Sequence, residues 1–179
     1  VSVLQVGTSF NAGRLNFSWR NAANSSIAGR DTNANIFSVR TWYHILLSYD
    51  LANLSVQIYM TPAGGTESVV PIANSSTSND FVGAIDRAGV LGLVTGSSVF
   101  DGFMSDLWVD TQNALDLSVE ANRRHFVDGN GRPVNISSYG SPQLRLNNPV
   151  GSWFNNTGSG GNLTPGGGSL NAAASSPSD

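Results

Sequence analysis

The first forty residues contain short apolar segments at 3–6, 14–19 and 35–40, separated by clusters of Asn, Gly and Ser. Such alternation predicts strands punctuated by turns. The clearest element comes next: WYHILLSYD at 42–50 and LSVQIYM at 54–60, joined by a short loop around 51–53, read as a hairpin. In its second arm Leu54, Val56, Ile58 and Met60 alternate with Ser55, Gln57 and Tyr59, which predicts one face in the core and one outward. Residues 61–88 are polar, with a short edge strand at 69–72 interrupted by Pro71. Two more strands are predicted at 90–94 and 103–109. The second, FMSDLWV, places Phe103, Ser105, Leu107 and Val109 on one face and Met104, Asp106 and Trp108 on the other, as in a strand covered on both sides. The expected core comprises Trp42, Ile45, Leu47, Val56, Ile58, Phe103, Leu107 and Val109, drawn from two facing sheets.

Only 118–127 has the marks of a helix. Ser118 can cap it, Glu120 sits in the positive first turn, Arg123, Arg124 and His125 sit near the negative end, and Asp128-Gly129 stops it. GNGRPV then reads as a turn, with short strands predicted at 143–147 and 152–154 inside a stretch rich in Gly, Asn, Ser and Pro. From Asn171 the sequence NAAASSPSD has little to bury, so 171–179 is expected to be a flexible tail or linker after one domain at 1–170. No fixed-period repeat is visible, which argues against a solenoid or propeller.

Composition strengthens the all-β reading. Hydrophobic residues make up 40% and charged residues 12%, and the 20 Gly and 7 Pro are spread along the chain where they would break long helices. A net charge of -3 gives no long-range attraction for nucleic acid or anionic lipid, so a neutral glycan or a protein surface is the better partner. All nine basic residues are Arg. Without Lys there is no Schiff-base chemistry and no phosphate-loop lysine, and without Cys neither a thiol nucleophile nor a disulfide framework. No segment reaches the roughly 18–20 apolar residues of a membrane span. The start at Val1, with no Met and no signal-like segment, is consistent with a processed or excised N-terminus. The seven Asn-x-Ser/Thr triplets, at Asn16, Asn24, Asn53, Asn74, Asn135, Asn155 and Asn162, are what so Asn- and Ser-rich a chain yields by chance.

Candidate chemistry is sparse. Asp101, Asp106 and Asp110 form the one acidic cluster, and Asp106 and Asp110 would share a strand face; they are the candidate calcium ligands. No dense Asp/Asn/Gly loop accompanies them, so the expectation is solvated strand ends and a turn Asp, with no metal and no cofactor. His44 and His125 lie near no Gly-x-Ser-x-Gly elbow and are expected to be structural, and Arg123 and Arg124 to complement the helix end. Trp153 falls among Gly, Ser and Asn near Tyr139. An exposed ring amid amides can stack on a sugar face, which makes Tyr139, Trp153 and Asn155 the glycan-binding candidates, against packing of the same loop onto the domain.

The order of WYHILLSYD, SVQIYM, a polar excursion, GVLGLVTG and VFDGFMSDLWVDTQNALDLS resembles the laminin-G-like, concanavalin-A-like superfamily. LSVEANRRHFVDGNGRPVNISSYGSPQLRLNNP with its Gly-rich close is similar to the form of that domain found in bacteriophage virion proteins. The likeness spans 40–170. It implies a two-sheet antiparallel jelly-roll sandwich serving adhesion or glycan binding, as in a capsid decoration, head fibre or tail-associated protein on the virion surface. Other virion structural proteins and further copies of the chain are the implied partners; a carbohydrate-binding module of a bacterial secreted or surface protein is the alternative. Hydrolytic relatives carry two Glu around an Asp on one strand, whereas this chain's only Glu residues are Glu67 and Glu120, so no enzymatic activity is expected.

Overall fold

The alternation at 42–60 folds as a hairpin in the computed structural model, which describes residues 16–20, 26–32, 36–38, 40–50, 52–53, 55–77, 103–134, 139–164 and 170–172. Strand β3 (Tyr43–Asp50) pairs antiparallel with β4 (Ser55–Pro62), from Tyr43 opposite Pro62 to Asp50 opposite Ser55. Asp50 closes the loop: its carboxylate accepts the amides of Ala52 and Asn53 at 3.0 and 3.1 Å and the Asn53 side chain at 2.6 Å. This is the local bonding by which Asp favours turns.

The fold is all-β. Strands β1 (Asn16–Arg20), β2 (Ser26–Thr32) and β6 (Ile72–Thr77) form one antiparallel sheet in the order β1-β2-β6. Strands β3 and β4 with β5 (Ser68–Val69) form a second, and β7 (Leu107–Val109) pairs with β8 (Leu144–Leu146). Helix is confined to α1 (Glu120–Arg123) and a 3-10 turn at Val150–Ser152 among the described residues. The chain changes sheets at Pro71. Just before it the Val70 amide bonds Ile58 O, and just after it Ile72 pairs with Thr32. Pro cannot donate to a ladder, so it suits this break.

Both faces of the hairpin are covered. On one face Ile58, Met60 and Val70 are buried, with Ile36, Phe37, Tyr43, Leu47, Val56 and Ile72 against them. On the other, Leu46 joins Leu117, Phe126 and Val127, packed by Tyr59, Trp108, Leu115 and Tyr139. Tyr59 and Gln57 therefore point into contacts rather than outward, because the segment after β7 lies over them. The side-chain alternation is as expected; the solvent face is not.

Several elements differ from the expected pattern. Only Leu107–Val109 of the 103–109 segment is strand, since Asp106 takes φ +51°, which breaks the extended alternation. Asp106 and Asp110 flank the strand rather than share its face, and Phe103, expected in the core, is 58% exposed. Ile45 is also outside the core at 36%. The helix spans one turn instead of 118–127: Val119 occupies the N-cap without a side-chain bond, while the Ser118 hydroxyl turns back to Asp116. Residues 152–154 form the end of the 3-10 turn and the turn residues beyond it, not a strand, and 36–38 carries no strand. The strands expected at 3–6 and 90–94 lie outside the described residues, as does most of the tail, of which Leu170, Asn171 and Ala172 are exposed.

The Gly-rich stretch at 156–161 is built rather than loose. Asn156 donates to Gln143 O at 2.8 Å and to Gly160 O at 2.9 Å, while its carbonyl accepts the amides of Arg145 and Gly158. A Cβ on Gly160 would lie 2.6 Å from Gln143 O, closer than real contacts allow, so the backbone approach requires Gly.

Truncating Ile58, 1% exposed at the centre of its cluster, to Ala should cost about 2–5 kcal/mol in urea unfolding. Gly160→Ala, which must push the loop off the Gln143 carbonyl, should lower stability by roughly 1–3 kcal/mol in the same assay.

Candidate functional site

An open groove of about 370 Å³ lies where the tip of the hairpin meets residues 114–118. Ser48, Asp50, Asn53, Ser55 and Gln57 form its sheet side, and Ala114, Leu115, Asp116 and Ser118 the opposite wall. Apart from Ala114 and Leu115 the lining is hydroxyl, amide or carboxylate.

The wall is fastened to the hairpin by side-chain bonds. Ser48 and Gln57 are cross-strand partners, and they take the amides of Leu115 and Leu117, two residues apart, at 3.0 and 2.5 Å. Gln57 also donates to Asp116 Oδ1 at 2.9 Å. From behind, Arg123 donates to the carbonyls of Leu117 at 2.6 Å and Ser118 at 3.2 Å, with its guanidinium 4.4 Å from the centre of the Tyr59 ring. Glu67, on the β4–β5 loop, accepts from both Arg123 and Arg124, and Arg124 also bonds Glu120. Arg123 and Arg124 are thus tied across the fold, more than the helix-end complementarity expected of them.

Two anions face the groove. The Asn53 side chain, followed by the backbone amides of the loop, holds the Asp50 carboxyl below the usual carboxylate range; Ser118 and then Gln57 do the same for Asp116. Among the described residues the three bonds to the Asp116 carboxylate all fall on Oδ1. Among the described residues no partner is bonded to Asp116 Oδ2 or to the Ser55 hydroxyl, both of which line the groove.

The residues singled out from sequence are not brought together here. Tyr139 is drawn toward the second core cluster, stacked with the His125 ring at 4.1 Å and edge-on to Phe126 at 5.3 Å. Trp153 is half-buried at the C-cap of the 3-10 turn, and Asn155 is exposed with its carbonyl accepting from Asn148 at 2.6 Å. None of the three lines the groove. Asp101 lies outside the described residues. Ser105 bonds Asp106 at 2.8 Å, and Asp110 accepts the Gln112 amide at 2.8 Å and the Asn113 side chain at 3.2 Å in a turn. Among the described residues no three His, Cys, Asp or Glu side chains converge as a metal site. No described helix is long and apolar enough to cross a membrane.

The groove residues carried little signal in the sequence. Asp50 reads as the end of a strand, Asn53 as part of a short loop, Gln57 as the polar phase of a strand, and Asp116 as one acid between two Leu; only the fold after β7 joins them. Compared with protein-family models, curated proteins and solved structures, the chain finds no match.

Removing Gln57 leaves the Leu117 amide without its acceptor and takes one of the three bonds from Asp116 Oδ1. Gln57→Ala should therefore destabilise the protein by about 1–3 kcal/mol, read from the urea midpoint.

Proposed function

We propose that the chain is a non-enzymatic, jelly-roll binding domain of a virion accessory protein, which attaches to other virion proteins and, through the groove at the hairpin tip, to glycan. The observation that carries the binding half is the lining of that groove. Fixed carboxylate, amide and hydroxyl groups at the rim of a sheet suit the alternating donors and acceptors of sugar hydroxyls. The virion half rests on the resemblance of 40–170 to phage lectin-like domains. Assembly with further copies fits a shallow groove, because linking weak sites on one particle raises avidity by roughly 10²–10⁴.

The electrostatics favour binding over hydrolysis. A glycosidase needs one carboxyl group held protonated as an acid while its partner is ionised. Asp50 and Asp116 are both stabilised as anions. The two Glu carboxylates are committed to Arg123 and Arg124.

The test is a glycan array on the multimerised protein beside a Ser55→Trp variant, whose indole would fill the groove from an exposed strand position. The expected result is glycan retention by the wild type, a loss of at least about tenfold in the variant with the unfolding midpoint unchanged, and no release of reducing sugar. Retention undiminished by Ser55→Trp would remove the groove from the account. Copurification with intact phage particles tests the other half, and absence from every particle would leave the bacterial carbohydrate-binding module in its place.

A further inference from the structure

The described residues that line the groove carry charge of one sign. Asp50 and Asp116 are anions, and the other residues of the lining are neutral. The Arg123 guanidinium behind the wall is committed to the carbonyls of Leu117 and Ser118 and to Glu67. Hydrogen bonds from Ser118 and then Gln57, rather than a neighbouring cation, keep Asp116 ionised. The net charge of -3 on the whole chain points to a neutral glycan, but the charge inside the groove is the sharper guide.

The two carboxylates differ in what they leave open. Asp50 spends both oxygens on its own loop, Oδ1 on the amides of Ala52 and Asn53 and Oδ2 on the Asn53 side chain. Asp116 takes Gln57 and both donors of Ser118 on Oδ1, and its Oδ2 has no bonded partner among the described residues. An ammonium group on that oxygen adds the attraction of opposite charges to its hydrogen bond, which a sugar hydroxyl or an acetamido N–H lacks. A sugar carboxylate instead brings a like charge toward both Asp50 and Asp116.

We infer that the groove selects its sugar by charge: an amino sugar, with its ammonium on Asp116 Oδ2, binds in preference to the N-acetylated form of the same sugar, and uronates are excluded. This rests on the reading of the groove as a glycan site. The bond pattern also supplies a variant that removes charge alone. An Asn at position 116 keeps a carbonyl oxygen in place of Oδ1, so the bonds from Gln57 and Ser118 survive, and its amide takes the place of the oxygen that no described residue bonds. Asp116→Asn therefore leaves the wall fastened and takes away the selecting charge.

Calorimetric titration of the full chain with glucosamine, N-acetylglucosamine and galacturonate oligomers of equal length tests this, in low salt at pH 5.5, where the sugar amine is protonated and both carboxyl groups stay ionised. The wild type should bind the glucosamine oligomer at least about fivefold more tightly than its N-acetylated counterpart and the galacturonate oligomer more weakly than either. In Asp116→Asn the preference for the amine should fall below about twofold, with the urea midpoint unchanged. Equal affinity for all three in the wild type, or a preference that survives Asp116→Asn, overturns the selection by charge and leaves the glycan site standing if Ser55→Trp abolishes the binding. Binding of none of the three overturns it as well, and an array on which the wild type also retains nothing takes the glycan reading with it. Should Asp116→Asn fail to fold, the wild type in raised salt decides: a preference for the amine that shrinks as charges are screened supports the inference, and one that salt does not change overturns it.

Discussion

The β3–β4 hairpin is covered on both faces, and the rest of the structure is arranged to provide that cover. A two-stranded hairpin is marginal alone in water, and one with apolar side chains on both faces cannot leave either to solvent. Ile58 and Met60 are buried on one side with Val70. Leu46 and Tyr59 are enclosed on the other by Leu117, Phe126 and Val127. The two covers reach the hairpin differently. The first arrives through the strand that changes sheets at Pro71, and the second comes from some sixty residues further along the chain, held by Ser48 and Gln57.

That second cover creates the groove. Apolar packing near Tyr59 gives way toward the tip to polar bonds, so the hairpin and residues 114–118 touch through side chains and leave a channel between them. The Glu67–Arg123–Arg124 cluster braces the channel from behind. A partly buried ion pair contributes little net stability when intact and is costly to break, which makes such a cluster a determinant of position more than of stability.

How much of this was legible depends on how local each signal was. The hairpin at 42–60 was plain, because alternation on either side of a short loop is a property of adjacent residues. The turn at 128–133 was legible for the same reason. The helix is shorter than its pattern predicts, since Ser118, Glu120 and Arg123 look like capping and dipole complementarity, whereas Ser118 serves Asp116 and Arg123 serves Glu67. Both partners are tertiary or lie outside the helix, and no local rule reveals them. Asp106 defeats the strand pattern at 103–109 by one backbone angle. The groove was invisible from sequence because Gln57 and Asp116 acquire meaning only when fifty-nine residues of chain bring them within 2.9 Å. Tyr139 looks like a glycan platform through its polar neighbours in sequence, while its neighbours in space are His125, Phe126 and Trp108.

The most direct test of the two-sided hairpin is a nuclear Overhauser experiment on the aromatic and methyl protons of the folded chain. Tyr59 ring protons should show contacts to Leu46 and to the 115–127 segment, while Ile58 methyls show contacts to Val70 and Ile72. A Tyr59 ring with no contacts to residues 115–127, and freely exchanging Leu115 and Leu117 amides at neutral pH, would contradict the account.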